Sequence, residues 1–346
     1  MIVEVDKVAS ASSPLTLGKR VRVSTGTGEP RVGDVIVVKA VSESVTYGNL
    51  ELPSGRLAKI NRGDTLLGVL GKRRALKGFV GDLPVTVSSG DRLHLLNMGG
   101  VIGECMGHHS SFSDAIELEV IGMACDELGL PMNIGDVAFV PAESLDRGAP
   151  IIFVAGSCMN SGKTVAAIEI IRQASNAGAR VAAAKLSGIA CLRDTLNMED
   201  HGAFATASFL DCGLPSTVDC TDLASAAKSI FNHLNSFEPD LIVAELGDGI
   251  VGGYGVDAIL RDREIMDAVS SLVFCASDYV GVIGGASILR DLGIEIDVIA
   301  GSVTDSQMGE DFVTRELGLN AGNARRNGKR LFEMVSASME TEAVAA

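Results

Sequence analysis

Apolar residues follow two different patterns along this chain, and the change falls near residue 145. Before it, short apolar runs are separated by turns, and four runs begin alike. They are Val32-Gly33-Asp34-Val35-Ile36-Val37-Val38, Arg62-Gly63-Asp64-Thr65-Leu66-Leu67, Ser89-Gly90-Asp91-Arg92-Leu93-His94-Leu95-Leu96 and Ile134-Gly135-Asp136-Val137-Ala138-Phe139-Val140. Gly-Asp supplies a positive-φ turn and a side-chain acceptor just before a β-rich run, so each pair predicts a turn entering a strand. The spacing of the four is irregular, which predicts a small β-barrel or sandwich rather than a solenoid. Gly99 to Gly103, followed by Cys105-Met106-Gly107-His108-His109, reads as a mobile loop or a close backbone approach.

From about residue 150 the pattern becomes one of strands without a polar face alternating with helical segments. Ile151–Ala155, Arg180–Ala184, Leu241–Glu245, Ser271–Ala276 and Ile296–Ala300 read as strands, and Thr164–Asn176 as a helix ended by Gly178. Strands apolar on both faces and spaced by helices predict a parallel sheet covered on both sides. Ligands of such sheets bind at the carboxyl ends of the strands. The expected division is a β-rich domain over 1–145, an α/β domain over 150–335 and a flexible tail over 336–346, joined by the Pro- and Gly-containing stretch from Asp136 to Pro150.

The strongest chemical signal lies between the first α/β strand and its helix, in Gly156-Ser157-Cys158-Met159-Asn160-Ser161-Gly162-Lys163-Thr164. A glycine-rich turn there wraps backbone N–H groups around phosphates. Lys163 reaches the terminal phosphates as a point charge, and Thr164 ligates Mg2+ at the N-terminus of a helix whose dipole favours anions. Gly156 lies six residues before Gly162, so Ser157 takes the position of the first glycine in the common spacing.

This form, G-[ST]-x4-G-K-T after an apolar strand, resembles dethiobiotin synthetase and its relatives, the cobyrinic acid diamide synthases and other SIMIBI-class P-loop NTPases. Ala184-Lys185-Leu186-Ser187-Gly188 is similar to a Lys-Pro-Val-x-Ser-Gly segment of dethiobiotin synthetase that faces the substrate, although Leu186 replaces the proline and Ser-Gly sits one residue closer. The resemblance implies substrate contacts for Lys185, Ser187 and Gly188. Glu245, followed by Leu246-Gly247-Asp248-Gly249, resembles the family's Val-Glu-Gly-Ala-Gly-Gly, which implies a Mg2+ ligand. The family also places an aspartate near Asn197 to Ala203; Asp200 is the best positional match, Asp194 competes, and either also suits a helix N-cap. No asparagine marks the base in Ala300 to Asp305, so ATP rather than GTP rests on the resemblance.

Composition narrows the classes. With 47% hydrophobic and 21% charged residues the chain is globular. No apolar run reaches the ~20 residues of a membrane span, and the first residues lack a signal-peptide pattern, so a cytoplasmic protein is expected. Residues 1–150 hold 15 basic and 18 acidic groups and residues 151–346 hold 14 and 26, together a net charge of -15. Such a surface repels a polyphosphate backbone and argues against nucleic acid, while one small anionic ligand can still be bound by local N–H groups. The 7 cysteines contain no C-x-x-C pair and read as reduced thiols. Cys158 reads as a redox-sensitive position and not a nucleophile. Cys105, His108 and His109 offer soft metal donors without a fourth partner, so a flexible loop is the expectation there. Asp248, Asp257 and Asp278 stand near strand ends or in Gly-rich loops, unranked by spacing.

The sequence thus predicts an α/β fold, a parallel-sheet P-loop NTPase domain preceded by a smaller β-rich domain. The leading function is a Mg2+-dependent ATP-using ligase, synthetase or kinase acting on a small metabolite. Lys163, Lys185 and Glu245 are the expected catalytic groups, with Gly156, Ser157, Asn160, Ser161, Gly162, Lys163 and Thr164 on the nucleotide and Thr164, Asp200 and Glu245 on the metal. A nucleotide-gated switch or metallochaperone acting on a protein partner is the alternative. A small-molecule substrate, no membrane, and a surface compatible with a homodimer complete the expectation.

Overall fold

The computed structural model describes residues 1–345. They form two compact units: Met1–Val140 with Ile189–Arg193 and Phe209–Val218, and a second made of Pro141–Gly188, Asp194–Ser208 and the chain from Asp219 onward.

The first unit is built on a closed ring of strands. Val35–Ala40 pairs with Thr65–Leu70, which pairs with Val101–His108; that strand pairs with Arg92–Leu95, which pairs with Glu117–Ala124, which returns to Val35–Ala40. The ring is a barrel, and period-two alternation divides its side chains between inside and outside. Ile36, Val38, Leu66, Leu93, Leu95, Ile102, Leu118 and Val120 share one core cluster. Val35, Val37, Leu67, Val69 and Val101, the alternate positions, share another.

The four Gly-Asp pairs use one device. The carboxylates of Asp34, Asp64, Asp91 and Asp136 accept the backbone N–H three residues earlier, from Arg31, Asn61, Ser88 and Asn133, at 2.8, 2.6, 2.7 and 3.0 Å. Gly33, Gly63 and Gly90 have φ of 90°, 97° and 93°, and each turn leads into a ring strand. The fourth differs: Asn133 forms a capping box with Asp136, Gly135 keeps negative φ, and 134–137 is a 3-10 turn instead of the entry to a strand. The stretch after Gly99 is a strand through His108 rather than a mobile loop. Gly99 is the close approach, because a Cβ there would lie 1.9 Å from the Ala190 carbonyl oxygen.

The second unit carries six parallel strands, β1 (Ile151–Gly156), β2 (Val181–Lys185), β3 (Ala205–Ser208), β4 (Leu241–Glu245), β5 (Val269–Cys275) and β6 (Val298–Ala300), in the order β3-β2-β4-β1-β5-β6. Its helices include α1 (Lys163–Asn176), α2 (Arg193–Asp200), α3 (Leu223–Asn235), α4 (Val256–Arg261), α5 (Arg263–Met266), α6 (Tyr279–Asp291), α7 (Gln307–Asp311) and α8 (Ala324–Ala345). Ile152, Val154, Val243 and Val273 meet Ala166 and Ile170 of α1 and Leu331 and Val335 of α8 on one face of the sheet. Phe153 stacks on Phe231 of α3 on the other, with centroids 6.2 Å apart. Both faces are therefore covered, as runs with no polar side require.

The segment after Asp200 corrects one expectation. Asp200 ends α2 rather than capping a following helix, and 205–208 is the edge strand β3. The chain beyond 336 also departs from a frayed tail: α8 continues through it, Ser338 Oγ donates to Ser271 Oγ at 2.9 Å, and Met339 packs against the core. Ala346, the end of that expected tail, lies outside the described residues.

Candidate nucleotide site

β1 ends at Gly156, where a Cβ would stand 2.5 Å from Ser161 Oγ and 2.7 Å from the Cys275 carbonyl, so only glycine lets the chain turn away there. The loop then passes through Asn160 (φ 60°) to Gly162 (φ 104°), the N-cap of α1. Two left-handed residues close together coil the backbone inward, and the first N–H groups of α1 have no intrahelical acceptors. Lys163, only 5% exposed, folds back over the loop and donates from Nζ to the Cys158 carbonyl at 2.9 Å. Burial pushes its pKa down and Lys185 adds to that, against the opposing pull of Glu245.

Lys185 and Glu245 are register partners at the carboxyl ends of the adjacent strands β2 and β4. Lys185 Nζ lies 2.6 Å from Glu245 Oε1 and 2.9 Å from Asp194 Oδ2. Burial pulls the Lys185 pKa down, but Asp194 and Glu245 outweigh it and hold the ammonium above its usual range. Thr164 Oγ1 donates to the same Glu245 Oε1 at 3.0 Å. Two buried polar atoms in this neighbourhood, Ser161 Oγ and Glu245 Oε2, have no hydrogen-bond partner among the described residues. Buried polar atoms are nearly always paired, so both oxygens keep hydrogen-bonding capacity that a ligand could use.

These residues fit magnesium. The ion takes hard oxygen ligands at ~2.0–2.1 Å in an octahedron whose edge is about 3.0 Å. The Thr164 hydroxyl and Glu245 carboxylate oxygen are separated by 3.0 Å, and an unpaired carboxylate oxygen remains beside them.

Of the residues expected from sequence, Thr164, Lys185 and Glu245 lie together, with Lys163 close enough to feel the charges of Glu245 and Lys185. Asp200 does not join them. It is exposed at the end of α2, six residues and roughly 9 Å of helix beyond Asp194, which is the acid on Lys185. The reason is the boundary of α2: the helix opens at Arg193, so Asp194 sits in its first turn beside the strand ends. Ser187 Oγ donates to the Gly247 carbonyl at 3.0 Å, tying the end of β2 to the loop after β4, and Gly188 takes φ of 133°. Cys158 Sγ lies 3.3 Å from Ser277 Oγ, and buried Cys275 has its thiol pushed up to about 12 by burial.

Sequence spacing left three aspartates unranked, and their surroundings now rank them. Asp278 accepts from Gly281 N at 2.7 Å as the cap of α6. Asp257 stands exposed in the first turn of α4. Asp248 holds φ of 66° between two glycines, and its charge acts on Lys163. Left-handed non-glycine residues cost energy and cluster at functional sites. The signal that finds it is Gly247-Asp248-Gly249, which begins two residues after Glu245.

His108 and His109 occupy the end of the barrel strand and its turn, where His108 Nε2 lies 3.2 Å from Asp114 Oδ1 and His109 Nδ1 2.8 Å from Ser111 Oγ. Their ring nitrogens meet these neighbours, His108 at the strand end and His109 in the turn that follows it. Among the described residues no helix is long and apolar enough to cross a membrane.

No family model matches this chain, and no curated protein matches it. Solved structures overlap this chain in part. The cell division protein FtsY from Thermotoga maritima overlaps with a TM-score of 0.39 at 16% identity, covering 58% of this chain and 74% of that one. A DUF1611 family protein from Anabaena variabilis has a TM-score of 0.41 at 13% identity, covering 59% and 63%. The signal recognition particle 54 kDa protein from Aeropyrum pernix, in complex with GDP, has a TM-score of 0.38 at 17% identity, covering 60% and 52%. Overlaps this partial leave the chemistry of the chain to be read from its own loop: a strand, a glycine-bounded turn and a helix that opens on Lys163 and Thr164 make the second unit an α/β domain of P-loop type.

Proposed function

We propose that this protein is a Mg2+-dependent enzyme that transfers the terminal phosphoryl group of ATP to, or uses it to activate, an oxygen of a small metabolite such as a carboxylate. The observation that carries this reading is the convergence of Lys163, Thr164 and Glu245 at one end of the sheet, with Ser161 Oγ and Glu245 Oε2 buried and unpartnered.

The N–H groups of the loop and of the first turn of α1 bind the phosphates, and the Lys163 ammonium leaves the Cys158 carbonyl for them. Thr164 and Glu245, with Asp194 nearby, would hold magnesium; when bound, the ion neutralises charge that develops on the transferred phosphoryl group. Lys185 enters from the neighbouring strand with a permanent positive charge, suited to orient an anionic acceptor at the carboxyl ends of β2 and β4. A small-molecule acceptor suits a surface of net charge -15, which favours a local anion site over a long polyanion.

One observation favours a second reading, a nucleotide-gated switch. Asp248, with φ of 66°, follows Glu245 by three residues, so strain is stored next to the metal-side glutamate. Nucleotide turnover measured with ATP and with GTP, with and without a metabolite pool, separates the two. Metabolite-stimulated ADP release is expected; turnover raised only by a protein fraction would replace the enzyme with the switch.

A further inference from the structure

The magnesium and nucleotide reading above leaves open what balances the acidic cluster before that ligand arrives, and the next inference rests on it. Lys185 Nζ contacts Glu245 Oε1 at 2.6 Å and Asp194 Oδ2 at 2.9 Å, while Thr164 Oγ1 donates to the same Glu245 oxygen at 3.0 Å. Oxygens from α1, α2 and β4 therefore gather here, and the cation bridging the two carboxylates is an ammonium. Glu245 is 1% exposed and its Oε2 is unpartnered, as is Ser161 Oγ at 0%. The cluster thus keeps acceptor capacity that Lys185 does not use.

We propose that Lys185 is a built-in counter-ion that occupies the metal-side carboxylates in the nucleotide-free protein, and that it surrenders Glu245 Oε1 only when magnesium enters together with nucleotide. Two lysines, 163 and 185, stand against the carboxylates 194 and 245, with the charge of Asp248 also reaching Lys163, so most of the acidic charge here is already countered without a ligand. Magnesium alone would add two positive charges beside two ammonium groups in a buried setting, where Coulomb repulsion is weakly screened. Magnesium carried on a triphosphate brings its own negative charge and offers Lys185 a new acceptor. Bare metal is thereby excluded and the metal–nucleotide complex admitted. Lys185 in this role is a positioning residue for the metal.

The test titrates Mn2+ into nucleotide-free protein and reads free Mn2+ by electron paramagnetic resonance. Wild type is expected to bind weakly, Lys185→Met roughly tenfold or more tightly than wild type, and Lys185→Arg, which keeps the charge, like wild type. A lysine that merely props the cluster open would give the opposite sign, weaker Mn2+ binding on its removal. Should Lys185→Met fail to fold, the paired substitution Lys185→Met with Asp194→Asn removes one charge of each sign, and it is expected to bind Mn2+ more tightly than Asp194→Asn alone. Mn2+ affinity that does not rise in these comparisons overturns the exchange. Binding of a fluorescent ATP analogue to the same wild-type preparation reports the nucleotide reading separately. Its failure alongside a gain in Mn2+ affinity would remove the nucleotide and keep Lys185 only as the counter-ion that blocks bare metal, and the reverse pattern would keep the nucleotide and overturn the counter-ion.

Discussion

Glu51 in the barrel unit and Glu245 in the α/β unit are both buried, and the two are treated differently. In the barrel unit Glu51 is fully buried and accepts from Ser10 Oγ, from Cys191 Sγ at 3.0 Å, and from the backbone N–H groups of Leu192 and Arg193 at 2.7 and 2.8 Å. Both its oxygens are engaged. In the α/β unit Glu245 is 1% exposed, its Oε1 is shared between Lys185 and Thr164, and its Oε2 has no partner. Burying a carboxylate costs several kcal/mol unless hydrogen bonds or charges compensate it. Glu51 is compensated by its own chain, so it stabilises the fold. Glu245 is compensated only in part, and the remainder is what a bound cation would supply.

The largest effect should come from the charge opposite the phosphates. Lys163→Ala is expected to weaken ATP-analogue binding at least about a hundredfold by fluorescence titration, because a buried charge-assisted contact is lost and the loop amides alone remain. Unchanged affinity in that variant would sink the nucleotide site altogether and leave Glu245 as an unexplained orphan.

Next in size is the pair of glutamates themselves. Glu51→Gln should cost about 2–4 kcal/mol in urea unfolding, since an amide cannot accept from all four donors. Glu245→Gln should cost less than Glu51→Gln, because Asp194 remains on the Lys185 ammonium when Glu245 is neutralised. Its effect should appear in the Mg2+ dependence of nucleotide binding, which Glu51→Gln leaves alone wherever the protein remains folded. Equal destabilisation by both changes would erase the distinction between a structural acid and a ligand acid.

Much of the fold is legible in the sequence itself. The apolar runs that became β1, β2, β4, β5 and β6 have no polar face, which is the signature of strands covered on both sides, and Gly162-Lys163-Thr164 fixed the start of α1. Three of four Gly-Asp pairs lead into strands for the stated reason; the fourth does not, because Asn133 competes for the same backbone groups and closes a 3-10 turn. Ring closure through Arg92–Leu95 was beyond reach, since it depends on one short strand pairing with two partners far apart in sequence. The assignment of 189–193 and 209–218 to the barrel unit was hidden for the same reason. Strand β3 escaped notice because Ala205-Thr206-Ala207-Ser208 has too little apolar character to stand out.

A third and smaller effect is a pH dependence. The Lys163 pKa lies below the ordinary lysine value of about 10.4, chiefly through burial, and phosphate binding requires the protonated form. Affinity should hold from neutral pH upward and then fall roughly tenfold per pH unit once pH passes the depressed Lys163 value. Lys163→Arg, with a guanidinium that stays charged, should remove that alkaline limb even if its overall affinity is lower. A limb that persists in the arginine variant assigns the titration to another group. Lys185 is not that group, since its two carboxylates raise its pKa and keep it charged across the same range.

The smallest effect separates two acids six residues apart on one helix. Asp194→Asn removes one of the two anions on Lys185, leaving the ammonium held by Glu245 alone at 2.6 Å. Glu245 then carries more of the lysine's charge and yields its oxygen less readily to a metal. The Mg2+ concentration that gives half-maximal nucleotide binding should therefore rise several-fold, roughly 1 kcal/mol, with little change in affinity for nucleotide without metal. Asp200→Asn, at the exposed end of α2, should move neither quantity. If Asp200→Asn raises the Mg2+ requirement while Asp194→Asn does not, α2 must shift by more than a turn when nucleotide binds, and the unpaired oxygen of Glu245 would then belong to a site that assembles only with its ligand.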